Sequence, residues 1–225
     1  MTTLKQKANI LIITAISITS IAGFQFARAQ SLPSNVLLQV PFSTQAPLGE
    51  WNDSRQQDGC EEVTIVMAWM WAQGINLTPD QIRNDITGMS DYEQYFYGYY
   101  RDSSAEDTAK LMTNYFGYQN VTVRHDINLT DIKSALAANE LVITPINPRI
   151  ISTVNYNRYT INHTVVVVGY DENNIIIHDP LHDWGSNLRI PQATFEKALA
   201  DYPSGQRHVA SKQRGKSMIV ISKAK

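Results

Sequence analysis

The sequence predicts an α+β fold, with a helical first half packed on a strand-rich, antiparallel second half. Two observations lead there. Residues 62–73 carry Val63, Ile65, Val66, Met67, Trp69, Met70 and Trp71, apolar almost all round, which marks a central, buried helix. Beyond residue 140 the pattern changes to short runs rich in Val and Ile, bounded by Gly, Asp, Asn and Pro, the signature of strands. A buried helix followed by such an antiparallel sheet is a layered α+β arrangement.

The elements follow in order. Residues 35–41 form a short edge-type strand, with an extended approach through Pro47. The buried helix over 62–73 ends at Gly74. Thr78-Pro79-Asp80 opens a second helix, Thr78 as N-cap and Pro79 at the first helical position. A third helix spans about 105–116 and stops at Gly117. A strand at 120–124 and a helix at 130–138 come next. Strands are expected at 141–145, 164–168, 174–178 and 217–222, with a short helix at 192–200. The aromatic run Tyr92, Tyr95, Phe96, Tyr97, Tyr99 and Tyr100 falls between the second and third helices. It reads as a loop packed on the core, or as a cleft wall gripping an extended peptide or glycan.

The first 29 residues have the pattern of a signal peptide. Lys5 and Lys7 supply a positive start, residues 8–24 are apolar and uncharged, and Ala27-Arg28-Ala29 places small residues where a signal peptidase reads. Cleavage after Ala29 would leave a single domain over 30–225, which suits one core. The other reading of the same stretch is a retained anchor, since it is nearly long enough to span a bilayer. The expected location is secreted, periplasmic or in the cell envelope, with no stable membrane association once the leader is removed. The leader takes with it three of the 19 basic residues, Lys5, Lys7 and Arg28, and none of the 21 acidic ones, so the net charge falls from −2 to −5. Nucleic acid is not an expected partner, because phosphate binding needs a concentrated basic face. Lys212, Arg214 and Lys216 form only a short basic loop.

The chain has one cysteine, Cys60, immediately ahead of the buried helix. A lone cysteine closes no internal disulfide, which leaves a buried inert thiol, an intermolecular bridge or a nucleophile. Two later segments favour the nucleophile. His163 opens the run Thr164-Val165-Val166-Val167-Val168-Gly169-Tyr170, and Asp179-Pro180 closes Ile175-Ile176-Ile177-His178. The connection over 169–174, rich in Gly, Asp and Asn, is hairpin-like and would put base and carboxylate on neighbouring strands. Unpaired N–H groups at a helix start favour thiolate and can donate to a tetrahedral oxyanion. Glu61 and Glu62 work against this, because their charges oppose the thiolate and leave the activation to His163. Taken singly, each residue has a plain role: His163 as a core histidine, Asp179 as a turn opener. A metal site at His178, Asp179, His182 and Asp183 is disfavoured, since Pro180 forbids the helix that would align the two histidines.

These residues together resemble a known group, the bacteriocin-processing-like cysteine peptidases. They form family thirty-nine, with its stand-alone secreted relatives, in the papain clan. Cys60 at a helix start, His163 leading into Gly169-Tyr170-Asp171, Asp179-Pro180 after it, and the opening Val40-Pro41-Phe42-Ser43-Thr44-Gln45-Ala46-Pro47 with Trp51 carry the resemblance. It covers about residues 38–72 and 161–181. It implies a papain-like fold, with Cys60 as nucleophile, His163 as general base and Asp179 as its orienter. The family's oxyanion glutamine commonly lies six residues before the cysteine, where this chain has Ser54; Gln57 is the expected substitute. Glu61 stands where the transporter-linked members often have glycine, and no transporter domain is present in this sequence.

The expected activity is hydrolysis of peptide bonds in a peptide or protein substrate through a Cys-His-Asp triad and a thioacyl intermediate, without cofactor or metal. Capture of the same intermediate by an amine would make the protein a transpeptidase or amidase on cell-wall or isopeptide bonds. A non-catalytic peptide- or glycan-binding module on the same fold is the alternative from another class.

Overall fold

The structure, a computed structural model, describes residues 31–151, 162–205 and 215–223. The expected signal peptide lies outside the described residues. Residues from Leu32 onward form one compact unit.

Among the described residues, seven antiparallel strands make one sheet. They are β1 (Val36–Leu37), β2 (Val121–His125), β3 (Leu141–Ile146), β4 (His163–Tyr170), β5 (Asn174–His178), β6 (Leu188–Pro191) and β7 (Ser217–Ile221). The order across the sheet is β2-β7-β3-β4-β5-β6, with β1 pairing separately with the end of β4. All eight residues of β4 are buried, because helices cover both faces of the sheet. Val166 and Val168 face one core with Ile143, Ile176 and Ile219. Val165 and Val167 face a second with Val142, Ile175 and Ile177. Strict two-residue alternation between two apolar layers is what a continuous Val run encodes. A bulge between Val167 and Gly169 shifts the register with β5, and β1 approaches there so closely that a Cβ on Gly169 would lie 2.2 Å from the Val36 carbonyl.

The first core is built on α2 (Cys60–Gln73), whose residues are almost all buried. Gly74 caps it in the left-handed region at φ 67°, its N–H returning to the Met70 and Trp71 carbonyls. A single turn, α1 (Ser54–Gln57), precedes it. Gly59 joins the two because a Cβ there would meet the Arg55 carbonyl at 2.7 Å. Its φ is −89°, so close packing, not a left-handed turn, requires the glycine. Then come α3 (Pro79–Phe96), opened by a Thr78–Gln81 capping box, and α4 (Ala105–Phe116), capped by Ser104. The second core is closed by α5 (Leu129–Ala137), with an Asn128–Asp131 capping box, and α6 (Gln192–Ala198).

Among the described residues, three elements were not legible in advance: α1, β6 and a 3-10 turn at Pro148–Ile150. The aromatic run is also more regular than a loop. Tyr92, Tyr95 and Phe96 complete α3, Tyr97 is its C-cap, and Gly98 at φ 81° turns the chain. Tyr92 packs against Phe96, Tyr97 and Tyr115, while Tyr95 and Phe96 remain exposed. No helix among the described residues is long and apolar enough to cross a membrane.

Candidate active site

Antiparallel pairing of β4 with β5 brings the two sequence-distant segments together. Val166 opposes His178, so His163 at the start of β4 and Asp179 just past β5 sit at the same end of the sheet. The intervening turn is an Asx turn, Asp171 Oδ1 accepting from the N–H groups of Asn173 and Asn174. His163 Nε2 donates to Asp179 Oδ1 at 2.8 Å, both side chains being buried. That bond places the ring proton on Nε2 and makes Nδ1 the basic nitrogen of the neutral ring.

Asp179 is fixed from several sides. Its Oδ1 also accepts the Leu181 N–H, and its own N–H donates to the Gly185 carbonyl. A Cβ on Gly185 would fall 1.9 Å from the Asp179 carbonyl, so only glycine closes this loop. Pro180 accepts the backbone N–H of Gln45 at 3.0 Å, tying the loop to the segment that leads to α1.

Cys60 is the first residue of α2 and is 8% exposed. The backbone of Thr164, the residue after His163, lies close enough to its sulfur to favour the thiolate. The thiol itself donates to Glu61 Oε2 at 3.0 Å. Burial first, then the charge of Glu61 and that hydrogen bond, push the thiol well above its ordinary range, with Thr164 acting the other way. The carboxyls beside it are pushed up as well. Burial raises Glu61 to about 7, and Glu93 on α3 to about 8, with Glu62 held well above the usual carboxylate range. Their charges therefore weigh less on the thiol than the sequence suggests, because burial favours their neutral forms.

Gln57 is exposed, and its side-chain Nε2 donates to the Trp51 carbonyl at 2.6 Å. A different amide occupies the interior. Gln45 is buried, its Nε2 donating at 3.0 Å to the carbonyls of both Gln56 and Gln57, while its Oε1 has no hydrogen-bond partner. Gln45 thus bridges the Asp179–Pro180 loop and the turn that launches Cys60. Sequence reasoning passed over it, although it lies inside the stretch that carries the family resemblance.

His178 is occupied by backbone: Nε2 donates to the Val40 carbonyl and Nδ1 accepts from Asn187 N–H. Burial holds it below the usual histidine range. His182 stacks on Trp184, with ring centroids 4.4 Å apart. Among the described residues, no three His, Cys, Asp or Glu side chains gather as a metal-binding group.

A model of the Peptidase_C39 like family matches residues 37–206. Among solved structures, the chain is similar to a Bacillus anthracis protein described as a C39-like peptidase. The identity is 17% and the TM-score 0.57, over 86% of this chain and 100% of that one. At that identity the likeness speaks for the fold alone. Xylellain, a cysteine protease from Xylella fastidiosa, aligns at 13% identity and a TM-score of 0.36, over 87% of this chain and 88% of that one, and carries no argument. No curated protein matches the chain. The family match spans most of the chain and includes Cys60, His163 and Asp179. The chain belongs to the Peptidase_C39 like family, and it is a cysteine peptidase with a papain-like α+β fold.

Proposed function

We propose that Cys60, His163 and Asp179 are the nucleophile, general base and orienter of an exported peptidase. The supporting observation is the buried 2.8 Å bond from His163 Nε2 to Asp179, at the strand end whose next residue, Thr164, acts through its backbone to favour the Cys60 thiolate. In this reading the Sγ–H proton passes to His163 Nδ1. The thiolate adds to the carbonyl carbon of a peptide bond, and the imidazolium protonates the leaving amine. Water then adds to the thioester with His163 again as base, releasing the acid and restoring the thiol. Asp179 keeps the ring in its tautomer and takes no proton.

The tetrahedral oxyanion forms beside the N-terminus of α2, where backbone N–H groups point outward. We place its side-chain donor at Gln45 rather than Gln57, because Gln45 is buried between the Asp179 loop and the turn before Cys60; one of its two Nε2 hydrogens, which bond the Gln56 and Gln57 carbonyls at rest, turns to the oxyanion when it forms. Export rests on the leader pattern of residues 1–29, and the substrate is a peptide or protein met outside the cytoplasm. Hydrolysis of an unstructured protein such as casein, followed by mass spectrometry of the products, tests the reading. New peptide termini produced by wild type and not by Cys60→Ala are expected. An added amine nucleophile should not appear on the products if water is the acceptor.

A further inference from the structure

The carboxyl of Glu61 has no part in the triad, yet it touches the nucleophile. Its Oε2 accepts the Cys60 thiol at 3.0 Å, and its Oε1 accepts the Tyr202 hydroxyl at 2.7 Å. The side chain is 2% exposed at the first turn of α2, and the Glu61 carbonyl accepts the Thr64 hydroxyl of the next turn. Tyr202 in turn shares a 3.0 Å hydrogen bond with the hydroxyl of Thr164, the residue whose backbone favours the Cys60 thiolate. Glu61, Tyr202 and Thr164 are thus three buried side chains joined in one hydrogen-bonded chain that ends on Sγ.

We propose that Glu61 is a positioning residue that gates the thiol: ionised, it holds the Sγ–H proton and keeps Cys60 silent, and protonated, it releases that proton to His163. This rests on the reading of Cys60 as nucleophile. The step balances without any co-reactant. One proton from solvent is taken up on Glu61 Oε2, which ends its role as acceptor. The proton on Sγ then passes to His163 Nδ1, and the neutral carboxylic acid donates its O–H to the thiolate. Thiolate and Glu61 carboxylate in contact would be two like charges out of water, the arrangement that buried pairs avoid.

The groups facing Glu61 fit such a gate. Cys60 and Glu62 lie on its own helix, Glu93 faces from α3, Asp102 from the loop before α4, and Tyr202 from the segment after α6. Three of these are acids, and Asp102 accepts from Asn162 Nδ2 at 3.0 Å, beside His163. The charge of Asp102 moves Glu61 toward its neutral form, in the same sense as burial. The Tyr202 hydroxyl opposes this by stabilising the carboxylate.

The test reads the thiol directly. Rates of iodoacetamide alkylation are measured across pH for wild type, Glu61→Gln and Tyr202→Phe, with peptide hydrolysis followed in parallel. Glu61→Gln keeps the shape and removes the charge, so its alkylation midpoint should fall by about one pH unit or more, roughly a tenfold faster reaction on the rising limb. Tyr202→Phe removes a donor to the carboxylate and should lower the midpoint in the same direction, by less. An unchanged or higher midpoint in Glu61→Gln overturns the gate. If that variant does not melt cooperatively, the Tyr202→Phe midpoint decides alone by the same rule. A lowered midpoint with no hydrolysis in any protein upholds the gate and removes the peptidase reading. Hydrolysis with an unshifted midpoint removes the gate and leaves the peptidase.

Discussion

Asp179 and His163 meet through a 2.8 Å hydrogen bond at the end of two paired strands, and Asp179 spends the same oxygen on the Leu181 N–H. The carboxylate is thus fixed by backbone before it fixes the ring. An orienter held this way sets the tautomer and angle of the imidazole without moving a proton itself. Asp179→Ala should leave a folded protein with residual turnover, down roughly 10²- to 10⁴-fold in kcat. Asp179→Asn should lose as much by favouring the wrong tautomer. Steady-state kinetics with a thermal melt on each variant check this.

The two glutamine amides near the helix start should differ sharply. Gln45 is buried against the carbonyls of Gln56 and Gln57, whereas the Gln57 side chain lies exposed on Trp51. Gln45→Ala is expected to lower kcat by about 10²- to 10³-fold, the range for loss of one oxyanion donor. Gln57→Ala should stay within about twofold. KM should change little in either. The reverse ranking would return the oxyanion role to Gln57.

Glu62 and Glu93 form a buried carboxyl pair between α2 and α3. Ser90 donates to Glu62 Oε1 and Ser103 to Glu93 Oε1, while the Oε2 atom of each meets no other donor. A proton held between the two carboxyls satisfies both. Because burial raises these acids above their unfolded value of about 4.5, their contribution to stability is complete below that pH. It is lost as pH rises toward about 8, the value reached by Glu93. Wild type should lose on the order of 10 °C in Tm between pH 5 and 8 relative to Glu93→Gln, whose amide keeps a donor between the helices. The buried His178 and the half-buried His182, both held below the usual histidine range, act with the opposite sign, so the difference between the two proteins is the quantity to read.

The leader makes its own forecast. Protein recovered from the periplasm or medium should begin at Gln30, since Ala27 and Ala29 meet the small-residue requirement of the cleavage site. Intact-mass measurement showing Met1 on membrane-bound protein would support a retained anchor in its place.

Much of this architecture was readable from local patterns. The all-round apolar helix, the capped start at Thr78, the stop at Gly117 and the Val run of β4 all carry their signal within a dozen residues. The order Cys60, His163, Asp179 was readable because each stands at an element boundary that the pattern marks. What escaped depends on distant partners. Gln45 gains its position from Pro180, far along the chain, and β6 is a four-residue strand ending in Pro191, too short to show a period. The α3 helix continues through Tyr92, Tyr95 and Phe96 because neither Gly nor Pro stands between Gly88 and Gly98, although aromatic density suggested a loop. The charges of Glu61 and Glu62 were weighed as they stand in water. Burial in α2 changes their protonation, and nothing in the local sequence announces that.

The central claim is that Cys60 forms the thioacyl intermediate. Its most direct test is the kinetics of peptide hydrolysis by wild type and Cys60→Ala, with acyl-enzyme trapping on wild type by mass spectrometry at short times. Wild type should show the substrate acyl group on the tryptic peptide containing Cys60, and Cys60→Ala should show neither adduct nor turnover at an unchanged Tm. Undiminished turnover by Cys60→Ala with the same melt would contradict the account.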